Sequence, residues 1–229
     1  MMRKIIGKII DIVLPPSEKE TASKEAPPPA KEVKAVSLEQ LLGGALGEAP
    51  AEPDLRVIGL YSSVEDEKIA ELTQALLYLN EMNRLLPEGK EKKPVEFYIN
   101  TYGGSADDMF AMYDVMQSVM EETEIHTIGV GKVMSAGTLL LAAGTKGKRK
   151  IGKNCRVMIH NVAAGNFGTL PNLANELEAI QQLQEDYITA MVENTKFTRK
   201  KLEKLLNEKV NIYLSAEEAV KYGLADEIM

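Results

Sequence analysis

Gly129-Val130-Gly131-Lys132-Val133-Met134-Ser135-Ala136-Gly137-Thr138-Leu139-Leu140-Leu141-Ala142-Ala143-Gly144 is the stretch on which the reading of this chain turns. The two leading glycines mark a turn, and the apolar run Thr138 to Ala143 reads as a buried helix ended by Gly144. Ser135 then stands at the entry to that helix. Unpaired backbone N–H groups and the positive end of the helix dipole favour developing negative charge there.

Outward from this stretch the chain alternates between two periods. Arg56 to Tyr61 reads as a strand, and Val64 to Met82 as a helix with Ile69, Leu72, Leu76 and Leu79 on one side. A strand over 95–99, a glycine turn at 103–104, a helix over 106–120 and a strand over 125–130 lead into Ser135, and a strand over 156–160 follows. Alternating strand and helix implies stacked βα units and an α/β fold. Beyond the glycine-containing segment 163–168, a long helix over 172–194 carries Leu173, Leu177, Ile180, Tyr187 and Met191 on one stripe. Helices near 198–207 and 215–222, opened by Thr198 and Ser215 as caps, close the domain.

The 229 residues are 45% apolar, enough for one enzyme-sized core, and the net charge of −7 argues against non-specific nucleic-acid binding. The basic run Lys146 to Lys153 reads as an exposed turn. A single cysteine excludes an intramolecular disulfide and fits a reducing, cytoplasmic setting; Cys155 opens an apolar run and reads as a small buried hydrophobe. Neither a metal site nor a cofactor is expected from the Cys and His spacing. Residues 1–54 are expected to be a largely disordered extension, rich in Pro, Ala, Glu and Lys, before a domain over 55–229. Within the extension, Ile5, Ile6, Ile9, Ile10 and Val13 share one helical face and Ser37 to Leu42 can form a helical turn or two. Lys8 and Asp11 interrupt the first apolar run, so no stable membrane insertion is expected.

Acyl transfer needs a nucleophile, a base, a group that orients the base, and N–H donors for the oxyanion. Ser135 is a candidate nucleophile and His160 a candidate base, since the other histidine, His126, lies mid-strand. Tyr102-Gly103-Gly104-Ser105 follows a strand and opens a helix, a place where glycine amides can face a ligand. Each signal alone has a plainer reading: a serine before a helix is more often a cap, a single histidine more often structural, and a glycine pair a tight connection.

Together with further segments these residues resemble the proteolytic subunit of the Clp protease, the ClpP family. The matching stretches are Ser63-Val64-Glu65-Asp66-Glu67, Tyr98-Ile99-Asn100 with Gly103-Gly104, Tyr113-Asp114 with Met116-Gln117, Ser135 with Gly137, Ala143-Gly144 with Lys146-Gly147-Lys148-Arg149, Arg156-Val157-Met158-Ile159-His160, and Ser215-Ala216-Glu217-Glu218-Ala219 with Tyr222-Gly223-Leu224 and Asp226. The resemblance implies an α/β fold of the ClpP/crotonase-like type, with repeated ββα units and a protruding strand-helix handle over 165–194. It implies Ser135 as nucleophile, His160 as general base, and the amides of Gly104 and Ala136 as oxyanion hole. It also implies a homo-oligomer of heptameric rings, single or stacked in pairs, that cleaves protein and peptide substrates delivered by an AAA+ Clp ATPase. The extension becomes a removable propeptide or a tether.

Three departures from the family pattern matter. The triad Asp is replaced by Asn211, four residues before Ser215, which can hold an imidazole tautomer but adds no charge; the expectation is weakened hydrolysis, or a triad completed by Glu208. The usual Gln-Pro after the catalytic His is Asn161-Val162, reminiscent of ClpP-like phage head maturation proteases. Val210 replaces an Arg used between rings. Two further readings stay open: a non-catalytic subunit completing mixed rings, motivated by Asn211, and an acyl-CoA enzyme on the same fold, which has no use for a Ser-His pair.

Overall fold

Val95, Phe97, Ile99 and Thr101 are buried while the residues between them are half-buried, a period of two that makes this segment a central strand. Ile69, Leu72, Leu76, Leu79 and Asn83, spaced three or four apart, are the buried face of the helix before it. The computed structural model describes residues 55–165, 167–208 and 210–229, all within a unit spanning Asp54–Met229. The N-terminal extension lies outside the described residues, and with it the helical face expected over 5–13 and the helical turn or two expected over 37–42.

In chain order the elements are β1 (Val57–Leu60), α1 (Asp66–Arg84), β2 (Val95–Thr101), α2 (Ala106–Val119), β3 (Ile125–Met134), α3 (Ala136–Ala142), β4 (Lys150–Ile151), β5 (Arg156–Ile159), α4 (Leu170–Asn194), α5 (Arg199–Glu208), β6 (Ile212–Leu214), α6 (Ala216–Tyr222) and β7 (Glu227–Ile228). The sheet runs β1-β2-β3-β4-β7, with β5 pairing β3 and β6 pairing β5. Every pairing is parallel except β5 with β6. This is the expected α/β class. α3 is buried over its whole length, as its lack of a polar side requires.

The glycine turn expected at 129–131 is instead the middle of a strand. β3 continues to Met134 and changes partner along its length: Ile128 and Gly129 pair with β4, Lys132 to Met134 with β5. Between the two, Gly131 takes φ 65 and the register against β2 slips, from Ile99 opposite Gly129 to Thr101 opposite Val133. A glycine that bulges a strand and one that ends it look alike in sequence. The bulge re-aims the second half of β3, and that half delivers Ser135.

Lys146 to Lys153 is likewise not a simple exposed turn. It contains β4, and Arg149 is 3% exposed. The Arg149 guanidinium bonds both Asp226 oxygens, Oδ2 at 2.9 Å and Oδ1 at 2.6 Å, and donates to the carbonyls of Ala142 and Asn194. It thereby ties the ends of α3 and α4 to the C-terminal segment. Burial pushes the Asp226 carboxyl up, but Arg149 and the amides of Arg149 and Gly147 outweigh it and hold the group at about 2, against an ordinary 3.8. Since the folded value is depressed, this stabilisation is complete above the ordinary value and is lost as pH falls through about 2. Asp226→Asn is expected to cost about 2–3 kcal/mol in denaturant unfolding at neutral pH, because the guanidinium stays buried. The difference from wild type should shrink as the pH is lowered toward 2.

Candidate active site

Ser135 is the non-glycine residue with positive φ among the described residues, at φ 53 and ψ −123. Such a conformation costs about 1–3 kcal/mol and persists only where neighbours enforce it. They do so here from three elements. The Ser135 N–H donates to Met158 O in β5 at 2.8 Å. The Ser135 carbonyl accepts from the Thr138 hydroxyl at 2.7 Å and from the Thr138 N–H at 2.9 Å. The Thr138 hydroxyl lies 3.0 Å from the phenol of Tyr187 in α4, whose burial pushes it up to about 12, so it acts as a neutral hydrogen-bonding group. The result is a sharp strand-to-helix turn that lifts the hydroxyl off the backbone.

The hydroxyl does not cap α3, although Ser135 is its N-cap residue. It lies 2.7 Å from Nε2 of His160. The pairing follows from register: Met134 opposite Met158 places the ends of β3 and β5 side by side, and both side chains follow directly from those ends. His126 bonds Glu124 instead and is not part of the cleft. Cys155 is 2% exposed, and burial pushes its thiol up to about 11, which suits a core residue rather than a nucleophile.

Around Ser135 and His160 lies a cleft of about 210 Å³, lined by Gly104, Ala136, Met109, Val162, Ala163 and Tyr187 among others. Among the described residues, neither the Gly104 nor the Ala136 N–H donates to a neighbouring loop or strand. A larger hollow of about 620 Å³ between α2 and α4 is lined by Asp107, Asp114, Asp186 and Glu193 among others, and holds no serine, cysteine or histidine among its described lining residues.

Gly103 is a requirement the sequence pointed at without explaining. At φ +100, a Cβ here would stand 2.5 Å from Ser135 Cβ and 2.9 Å from Met134 O. Its N–H is held by the Thr101 hydroxyl at 3.0 Å, and its carbonyl accepts from the Val64 N–H at 2.9 Å, so the loop cannot easily retreat. Gly103→Ala is expected to displace the Ser135 hydroxyl and slow its phosphonylation by a fluorophosphonate probe, with loss of fluoride, about 10²-fold. Stopped-time labelling followed by intact mass measures this.

Asn211 directly precedes β6. The antiparallel ladder pairs Val157 with Leu214 and Ile159 with Ile212, so one further step would set Asn211 opposite His160. Among the described residues no hydrogen bond joins the two, and Asn211 is exposed. Glu208 borders the same surface hollow as His160, with its carboxylate 3.7 Å from the Lys204 ammonium. Thr138, Tyr187 and the Met158 carbonyl were not singled out by sequence, since nothing local marks a hydroxyl that supports a turn 49 residues away.

A hydroxyl bonded to an imidazole, beside two backbone amides in an apolar cleft, has the parts needed for acyl transfer. Comparison with known proteins points the same way. The family model described as Clp protease matches residues 53–229. The chain is 33% identical over 174 residues to the ATP-dependent Clp protease proteolytic subunit of Deinococcus radiodurans, covering 76% of this chain and 80% of that protein. It is 35% identical over 175 residues to the ATP-dependent Clp protease proteolytic subunit 1 of Prochlorococcus marinus subsp. pastoris, covering 76% of this chain and 83% of that protein.

Proposed function

Because the chain belongs to the Clp protease family, we propose that it is a serine endopeptidase whose nucleophile is Ser135. The observation that carries the reading is the 2.7 Å approach of Ser135 Oγ to His160 Nε2 from a strained turn that makes no cap bond. In this reading Oγ attacks the scissile carbonyl while His160 takes its proton. The tetrahedral oxyanion is stabilised by the amides of Gly104 and Ala136. His160 returns the proton to the departing amine, and water, deprotonated by the same imidazole, hydrolyses the acyl-serine. The register of β5 with β6 sets Asn211 where its side-chain carbonyl could turn to the imidazole and orient it without adding charge, so turnover is weakened; Glu208 is the competing candidate for that place.

The catalytic domain spans 55–229, and residues 1–54 serve as propeptide or tether. Subunits assemble into heptameric rings, single or stacked in pairs, and an AAA+ Clp ATPase in the cytoplasm feeds unfolded chains to the enclosed Ser135. Support for self-association comes from α4, where Leu170 is 81% and Leu177 56% exposed. Among the described residues no helix is long and apolar enough to cross a membrane.

A second reading, a non-catalytic ring subunit, is favoured by Asn211 alone; a phage maturation protease draws only on His160-Asn161. The deciding experiment is hydrolysis of a short fluorogenic peptide, which needs no ATPase, across the size-exclusion profile of the purified protein. Turnover that follows the oligomer peak, with unfolded protein cleaved only on addition of a Clp ATPase and ATP, is the expected result. A well-assembled oligomer without peptide turnover would leave the structural subunit as the better reading.

A further inference from the structure

Val162 follows His160 by two residues and forms part of the cleft wall. Its N–H donates to Oε1 of Gln184, in the middle of α4, at 2.7 Å. The other end of that amide has no comparable arrangement: among the described residues Gln184 Nε2 is buried and has no hydrogen-bond partner. Burying an unpaired amide donor is unfavourable, and an apolar side chain of the same length would fill the space without that cost. The bond to Val162 is therefore the interaction that accounts for an amide at this position.

The sequence around Val162 shows why the bond is needed. The family pattern described above has proline at this place, which carries no N–H and fixes its own φ. A valine restores both an N–H that must be satisfied and a freer backbone. Asn161 contributes a second tie, its Nδ2 donating to Leu206 O in α5 at 3.1 Å. Before His160 the backbone is held by the β5 ladder with β3 and β6; after it, by Gln184 and Asn161.

Resting on the peptidase reading, we infer that Gln184 is a positioning residue: through the Val162 N–H it fixes the segment that carries His160 and the cleft wall, taking over the role of the absent proline. Gln184 is not among the residues that line the cleft; it acts through the backbone at Val162.

A double-mutant cycle on the assembled protein tests this, with kcat and KM for a fluorogenic peptide as readout. Gln184→Met keeps length and volume but removes the acceptor, and is expected to lower kcat about tenfold or more with a smaller change in KM. Val162→Pro alone is expected to lower kcat too, because it leaves both ends of the Gln184 amide unpaired. The double variant Gln184→Met/Val162→Pro removes donor and acceptor together and is expected to return to within about threefold of wild type. Single variants with unchanged kcat, or losses that multiply in the double variant, overturn the inference while leaving the peptidase reading intact. If Gln184→Met does not assemble, a double variant that assembles and turns over supports the inference, and one that assembles no better overturns it. A wild type without turnover removes the peptidase reading itself, and the inference with it.

Discussion

Ser135→Ala is expected to lower kcat for a fluorogenic peptide by about 10⁴- to 10⁶-fold while leaving assembly intact. The loss is chemical: alanine offers no nucleophile, and under the proposed mechanism the amides of Gly104 and Ala136 alone would give only residual rate enhancement. The fold barely registers the change. The hydroxyl's side-chain partner is His160, the contacts that hold the turn come from the Ser135 backbone, and alanine at φ 53 carries the same strain. The unfolding free energy should therefore move by less than about 1 kcal/mol. Ser135→Gly sharpens the test. Glycine adopts positive φ freely, so this variant should be equally inactive yet more stable than wild type by about 1 kcal/mol, the signature of strain retained for function. A Ser135→Gly protein that keeps its turnover would exclude Ser135 as nucleophile.

Asn211→Asp is expected to raise kcat by about 10²- to 10⁴-fold, the upper bound being the cost of the reverse change in the Ser-His-Asp template. The physical basis is the imidazolium that would form, under the proposed mechanism, when His160 takes the serine proton. An amide carbonyl can orient the ring, whereas a carboxylate also stabilises the positive charge. The register of β5 with β6 gives this variant its rationale, since the next pair beyond Ile159 and Ile212 is His160 with Asn211. Steady-state kinetics on equal masses of assembled protein reads the effect. If Asn211→Asp leaves kcat unchanged while Glu208→Gln lowers it, Glu208 holds the third place instead.

How much of this was legible beforehand depended on whether a feature was local. The helix face of α1, the strand β2, the Ser215 cap and the Ser135-His160 pair are written in short-range patterns or recurring motifs, whereas the apolar stripe of α4 is buried only toward its C-terminal end, at Tyr187 and Met191, and leaves Leu173 and Leu177 exposed. The Ser215 cap is a full capping box with Glu218. What escaped was set by distant partners. Gly131 looked like a turn because its role, a bulge where β3 exchanges β4 for β5, depends on two strands that come later in the chain. Lys146 to Lys153 looked exposed because nothing nearby shows that Arg149 meets Asp226, 77 residues on. The two-residue strands β4 and β7 are too short for a period of two to appear. The positive φ of Ser135, its support from Thr138 and Tyr187, and the bond of Gln184 to the Val162 N–H are three-dimensional facts with no local signal.

Covalent labelling tests most directly whether Ser135 is a nucleophile made reactive by His160. The assembled protein would be treated with a fluorophosphonate and read by intact mass and peptide mapping, beside His160→Ala. One adduct per chain is expected, on the peptide containing Ser135, forming at least about 10²-fold more slowly in His160→Ala. An assembled wild type that gains no adduct, or one labelled equally fast without His160, would contradict it.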